Sequence, residues 1–440
     1  MYLRSDPGAH AHYSYISLCN RLIGPATVWV SNSANPSVLF RVHPAIFDSC
    51  WHYLTSAPSD CLLFDYRFIL GSIQLAGPKA LAAILSVCTP CESNHSTQKL
   101  WAVLRQYNDQ RYLPNYAAIQ TNLMDPYIKH SKHKKRSKVK LIDCLNNWKE
   151  YASDRTGLSV LDLGTEKAPL SSENPYYTSG TLNPEVEIPA LILKDSFNQL
   201  TLILPWRWVL RFWVSLNKAP HVMFGGQTQL KQIAFENGTY AFPYFCPATP
   251  AGLLSSIDDA AAHYKEFARK PRAKRLAYEK VRIDPSNRGE IGNPFACDWQ
   301  YLATLQNLPL SFKYSVQEKL TVVDSVLTNE KSLTLIQVTR SGRGSIKPNA
   351  RIYCVTASLL GSYDRTHSLL NRNLNPTPEH LCGYVIYGGH NLRRGFSTGV
   401  GAILTKKYEA LKLNSQKHTC IIRNSGETYA YLAEFNVLPL

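Results

Sequence analysis

The chain has 440 residues, 45% hydrophobic and 18% charged, with 23 Gly, 26 Pro and 11 Cys. This is a globular composition, long enough for two or three lobes; it excludes a collagen-like chain, a low-complexity tail and a disulfide-dense scaffold. Lys and Arg number 48 against 32 Asp and Glu, a net charge of +16, which points to a polyanionic partner.

With no secretory signal in view, the cysteines are expected to be reduced in an intracellular compartment. The Asn94 and Asn237 sequons are discounted on the same ground. The most apolar stretch, 190–216, is broken by Lys194, Asp195, Arg207 and Arg211, so no membrane span is expected.

In chain order, the first 30 residues are weakly patterned. Val38–Val42 reads as a short strand, and Pro44 opens a helix to about Leu54. Leu62–Ala76 reads as strand structure, closed by Gly77-Pro78, with helices following over Lys79–Val87 and Gln98–Tyr107. Asn108–Ser131 reads as irregular, Leu141–Tyr151 as a short helix, and Ser153–Glu185 as a linker.

Ala190–Leu193 and Leu200–Leu204 read as buried strands. Pro205 then starts a helix on which Trp206, Val209, Leu210 and Trp213 recur at helical spacing. Its large rings are read as a core face in preference to base stacking, with Trp208 and Trp213 in the core. A further helix, Asp258–Lys270, is stopped by Pro271. Arg351–Thr356, Cys382–Tyr387, Cys420–Arg423 and Thr428–Val437 are strand candidates; the last alternates Tyr429, Tyr431, Ala433 and Phe435 on one face. The expected class is α+β, mixed sheets with packed helices and a β-rich C-terminal lobe. The expected divisions are 1–128, a basic tract and linker over 129–187, 188–300 and 301–440.

The positive charge is concentrated. Lys129–Lys140, which contains Lys134, Lys135 and Arg136, has seven basic residues and no acid. Lys265–Arg282, which contains Lys270, Arg272, Lys274 and Arg275, has eight basic residues against Glu266 and Glu279. The second tract follows a helix end, so its side chains are expected along an extended strip suited to a phosphate backbone. A solvated loop and a solvated helix end, with cations favoured by the helix dipole, is the competing reading.

Cys88 and Cys91 form a lone CxxC pair with His95 nearby. No second pair completes a tetrahedral zinc site, and the pair follows a helix where a redox motif would open one, so both read as structural. Six glycines from Gly383 to Gly401 lack the strand–GxGxxG–helix order of a dinucleotide site. They read as a pair of sharp β-turns, with Arg393 and Arg394 set to approach phosphate. No phosphate loop, zinc-protease, nucleophile-elbow or kinase motif is present, and no carboxylate pair stands out. No catalytic residue, metal ligand or cofactor is assigned.

Several segments, in order, resemble the large POPLD-domain protein subunit of eukaryotic nuclear ribonuclease P and ribonuclease MRP. They are His43-Pro44-Ala45; Phe68 to Leu85 with Gly77-Pro78; Pro205 to Trp213 with Trp208, Phe212 and Trp213, followed by Gly225-Gly226; and Phe242-Pro243 with Pro247, Thr249, Ala251 and Gly252. Further on come Lys270 to Arg275 with Tyr278; Asn293-Pro294-Phe295 with Trp299; and Gly383 to Gly401 with Arg423-Asn424.

The sequence departs from that pattern at Arg207 and Val209, which replace glycines; at His221 and Val222, where an Arg precedes the double glycine; and at Phe245 and Ala248, which replace acids. The family's long basic N-terminal region has no counterpart here, and the chain is expected to be shortened there.

The resemblance implies a fold similar to the folate-binding fold of the glycine-cleavage T-protein. It implies a non-catalytic RNA-binding scaffold in a nuclear and nucleolar ribonucleoprotein that removes 5′ leaders from precursor tRNA, with precursor-rRNA processing as a further role. The implied partners are the catalytic RNA, other protein subunits and, indirectly, precursor tRNA. A folate-dependent aminomethyltransferase is the rival reading; the basic tract after Lys270 and the aromatic segment at Trp208 fit the RNA-binding one.

Overall fold

The computed structural model describes residues 9–18, 21–31, 37–57, 61–91, 95–127, 140–152, 187–195, 199–281, 289–305, 333–340, 344–354, 376–414 and 418–438. The chain forms two compact units. The first draws on Met1–Ser14, Pro25–Val42 and Ser49–Phe224, the second on Tyr15–Gly24, His43–Asp48 and Gly225–Leu440. Lys134, Lys135 and Arg136, and the linker expected over 153–185, lie outside the described residues.

In order, the elements up to residue 224 are β1 (Ala11–Leu18), β2 (Arg21–Val30), β3 (Val38–Val42), α1 (Pro44–Ser56), β4 (Leu70–Leu75), α2 (Ala80–Val87), α3 (His95–Tyr107), β5 (Ala118–Leu123), α4 (Leu141–Asn146), α5 (Trp148–Ala152), β6 (Ile188–Lys194), β7 (Leu200–Pro205) and α6 (Trp206–Asn217). The first unit is built on a four-stranded antiparallel sheet in the order β4–β7–β6–β5.

Both faces of this sheet are covered, which is why β6 and β7 read as nearly continuous apolar runs. Ile192, Leu200, Leu202 and Leu204 pack with α2, α3 and α6 through Ile84, Leu100, Leu104 and Phe212. The alternate residues Leu191, Leu193 and Ile203 meet Trp29 of β2. Strand β5 was expected as irregular chain. Its buried Gln120 and Thr121 interrupt the apolar pattern that would have marked it.

Cys88 and Cys91 sit at the end of α2. Cys88 is fully buried, and its carbonyl accepts from the Trp101 indole at 2.8 Å. Burial pushes both thiols up to about 12, so neither is a thiolate at neutral pH. They are packing residues of the core.

The second unit is built on β8 (Leu333–Arg340), β9 (Arg351–Tyr353), β10 (Leu381–Asn391), β11 (Phe396–Leu404), β12 (Thr419–Arg423) and β13 (Tyr431–Val437), with α7 (Gln227–Asn237), α8 (Pro250–Arg269), α9 (Trp299–Leu305) and α10 (Thr405–Asn414). The strands close a barrel in the order β10–β11–β8–β13–β12–β9. Its interior is filled by Ile336, Val338, Ile352, Cys382, Ile403, Ile422, Tyr431, Ala433 and Phe435. The outer face, with Leu335, Tyr384, Val400 and Ala402, packs on Phe235 of α7, Leu253 of α8, and Trp299 and Leu302 of α9.

The glycine run is one long hairpin, not two sharp turns: β10 pairs with β11 from Gly383↔Ile403 to Asn391↔Phe396, with a bulge between Val385 and Tyr387. At Gly383 a Cβ would lie 2.0 Å from the Ala402 carbonyl oxygen, so this strand approach requires glycine. One thiol expectation is corrected: Cys354 and Cys382 are disulfide-bonded, with Cα atoms 5.8 Å apart. Among the described residues, no helix is long and apolar enough to cross a membrane.

Candidate nucleic-acid interface

Helix α8 carries the basic tract at its C-terminal end. Its start is fixed by Thr249, whose Oγ1 accepts from the Gly252 amide at 3.1 Å, and by Pro250 in the first turn. A Cβ at Gly252 would fall 1.9 Å from the Cys246 carbonyl oxygen, so the helix enters against the preceding turn only with glycine there. Pro243 follows Phe242 through a cis peptide, and the His43 ring meets Phe242 in a T-shaped contact at 5.1 Å. The distant His-Pro and Phe-Pro segments are thereby brought together.

The helix ends at Arg269, and the chain turns at Pro271 into a single 3-10 turn, Arg272–Lys274. The extended strip expected here is therefore a tight turn. Arg275 folds back along it: its guanidinium donates to the carbonyls of Ala268 and Lys270, the latter at 2.8 Å, and lies 5.8 Å from the Phe267 ring. It satisfies carbonyls that the helix end leaves without partners. Lys265, Arg269, Lys270, Arg272 and Lys274 are all exposed. Lys270 meets Glu266 at 3.4 Å, an exposed i,i+4 pair that contributes little to stability.

The turn is anchored from below by rings. Phe295 lies 5.5 Å from Tyr264, 5.0 Å from Phe267 and 5.3 Å from Tyr278, centre to centre. Phe267 and Tyr278 also meet each other at 5.7 Å. Residues on both sides of the basic tract are thus fastened to one ring of the Asn293-Pro294-Phe295 segment.

That segment is itself fixed by a buried charge cluster. Glu290 is 2% exposed, and Arg351 and Arg423 are fully buried. Arg423 grips both carboxylate oxygens of Glu290, and the Gly426 amide donates to Oε2 at 2.6 Å. Arg351 Nε stands 3.3 Å from Oε1, while its Nη2 donates to the carbonyls of Ile291 and Asn293, both at 2.9 Å. Burial works to raise the Glu290 pKa, but the Arg423 hydrogen bonds and the charge of Arg351 outweigh it and hold the carboxyl below its ordinary value. Glu290 and Arg351 were not singled out from the sequence. The partners are 133 and 61 residues from Glu290, a separation at which no spacing rule signals a pair.

The other expected site residues fall elsewhere. Arg393 and Arg394 occupy the tip of the β10–β11 hairpin. Asn391 Oδ1 accepts both their amides at 3.1 Å, and the Arg393 side chain is held by Asn237 at the end of α7. Gly226 precedes α7, its amide donating to Gln229 Oε1 at 2.8 Å, and Gly225 stands before it in an exposed turn.

On α6 in the first unit, Phe212 is fully buried, whereas Trp208 and Trp213 are half-buried and pack on the core from its edge. The expectation that both tryptophans are core residues is corrected. Trp208 lies beneath the guanidiniums of Arg207 and Arg211, at 5.7 and 5.4 Å, and Arg211 pairs with the buried Asp125 at 2.5 Å. Covered by cations, Trp208 needs less of the core than its size suggests.

No three His, Cys, Asp or Glu side chains among the described residues are grouped to hold a metal ion. The end of α8 offers exposed cations on a stretch of chain anchored by an aromatic base, which suits a polyanion.

Residues 199–299 match the POPLD (NUC188) domain, and residues 366–439 match the POP1 C-terminal domain. The ribonucleases P/MRP protein subunit pop1 of Schizosaccharomyces pombe is 27% identical over 413 residues, 90% of this chain and 56% of that protein. The POP1 subunit of Saccharomyces cerevisiae is 25% identical over 369 residues, 76% of this chain and 40% of that protein. The chain thus spans about half the length of these relatives. Among solved structures, the glycine cleavage system aminomethyltransferase T of Bartonella henselae is similar at 12% identity and a TM-score of 0.27, over 83% of this chain and 82% of that one. The chain thus carries, in order, matches to the POPLD domain and the POP1 C-terminal domain, and along most of its length it is similar to the ribonuclease P/MRP protein subunits of two yeasts.

Proposed function

We propose that the chain is a non-catalytic, RNA-binding scaffold subunit of a nuclear and nucleolar ribonuclease P/MRP ribonucleoprotein. In this reading it supports 5′-leader removal from precursor tRNA, and precursor-rRNA processing, while the chemistry lies in the RNA. Its partners are the catalytic RNA and other protein subunits, with precursor tRNA met indirectly. It uses no cofactor of its own.

The observation that carries the reading is the end of α8. Four cations, Arg269, Lys270, Arg272 and Lys274, stand exposed within six residues, and the surrounding chain is fastened to Phe295. Side chains presented by a fixed backbone can match phosphate spacing with little further ordering cost. Lys134, Lys135, Arg136, Arg393 and Arg394 are proposed as secondary phosphate contacts.

Equilibrium binding of a structured RNA across a salt series tests this. Lys270→Ala with Lys274→Ala should lower the slope of log K against log[salt] by about 1.5–2, because each lost phosphate contact releases about one counterion fewer. The melting temperature should barely change. Arg275→Ala should do the reverse, changing the slope less and the stability more, since its guanidinium closes the helix end. Parallel lines for the wild type and the double variant would remove this turn from the RNA site.

A further inference from the structure

We propose that Tyr264 is a stacking platform for an unpaired RNA base, so that the end of α8 takes an RNA element with an extruded nucleotide in preference to an uninterrupted duplex. The inference rests on the RNA-binding reading and adds the class of RNA structure that the site takes.

Tyr264 lies on α8, one and a half turns before the helix ends at Arg269. It is 59% exposed, the most exposed of the three rings around Phe295. Among the described residues its one ring contact is with Phe295, T-shaped at 5.5 Å and 79°. That contact fixes the ring without covering it. The neighbours on the outer side, Ala261 at i−3 and Ala268 at i+4, are themselves exposed and end at Cβ. On a helix those are the positions whose side chains would lie over the ring; two alanines leave it bare. An exposed aromatic held at a fixed angle loses little entropy when a base stacks on it, and such stacking tolerates any base.

Charge identifies the occupant. Lys265 is adjacent in sequence, and Arg269, Lys270, Arg272 and Lys274 follow within ten residues, all exposed. A bare ring beside a run of cations fits a nucleotide, whose base and phosphate need both. An apolar peptide would leave these cations unmatched. A paired duplex would leave the ring unmatched, because its base faces are already stacked.

Two RNA probes test the proposal by fluorescence anisotropy at one fixed salt concentration: a hairpin with a single unpaired adenosine in its stem, and the same stem fully paired. The wild-type chain should bind the bulged hairpin more tightly. Tyr264→Leu, which keeps an apolar contact with Phe295 but has no ring, should weaken binding of the bulged hairpin by roughly ten-fold or more, and leave the paired stem unchanged. Tyr264→Phe should retain the wild-type preference, which also guards against misreading a folding defect in the leucine variant. Equal weakening on both RNAs, or none on either, would overturn the stacking role while leaving RNA binding intact. A wild-type chain that binds neither hairpin would reject the RNA-binding reading itself.

Discussion

Replacing Glu290 by Gln is expected to destabilise the second unit by about 3–5 kcal/mol. Among the described residues, the Glu290 carboxylate is the anion paired with both of the fully buried guanidiniums of Arg351 and Arg423. Gln keeps the shape and one acceptor but removes the charge, leaving Arg351 and Arg423 buried and uncompensated. Replacing a whole buried ion cluster with apolar residues can be neutral; removing one partner is not, because the desolvation of the others is no longer offset. Denaturant unfolding followed on the intact chain would show the loss as a shifted midpoint.

The same cluster predicts a pH dependence. The folded pKa of Glu290 is held below its ordinary value of 4.5, so its contribution is fully present above about pH 4.5 and is lost as the pH falls through the lower folded pKa. The Gln variant should lack that part of the acid destabilisation, and its stability should approach that of the wild type as the pH drops below 4.5. A variant as stable as the wild type at neutral pH would contradict the structural role. Its consequence for function is indirect: Arg351 holds the carbonyls of Ile291 and Asn293, and hence Phe295, on which the basic turn rests.

The second large effect is expected at Phe212. Its ring is fully buried in the first unit between α6 and the sheet, and truncation to Ala should cost about 3–5 kcal/mol. Trp213→Ala should cost distinctly less, although the residue removed is larger. Trp213 is half-buried and leans on Phe224, centroids 5.6 Å apart. Urea denaturation of the two variants side by side gives the comparison. The reverse order, with Trp213 the costlier, would mean that the α6 face is packed as its helical spacing alone suggests.

The aromatic helix shows where the sequence was legible and where it was not. Spacing located α6 and the apolar runs located β6 and β7, because those signals are local. Which aromatic turned inward was not local: Arg207 and Arg211 cover Trp208, and Asp125, which holds Arg211, is 86 residues away in the chain. The strand pattern at the C-terminus was likewise readable, with Tyr431, Ala433 and Phe435 alternating into the barrel. Strands β5 and β8 were not, since the buried polar residues Gln120 and Thr121 in the one and Gln337 in the other break the apolar pattern. At the candidate site, charge density marked the tract after α8. The 3-10 turn, and the diversion of Arg275 to helix carbonyls, depend on where the chain bends. Its anchor, Phe295, was singled out only through the family resemblance.

The central claim is that the exposed cations at the end of α8 hold one folded RNA. Ultraviolet crosslinking of the chain to the RNA that co-purifies with it, with sequencing of that RNA and mapping of the modified peptides, tests it most directly. The account predicts one structured, ribonuclease P- or MRP-like RNA, with adducts concentrated between Tyr264 and Lys280. Recovery of random RNA, or of a single RNA whose adducts all lie outside that segment, would contradict it.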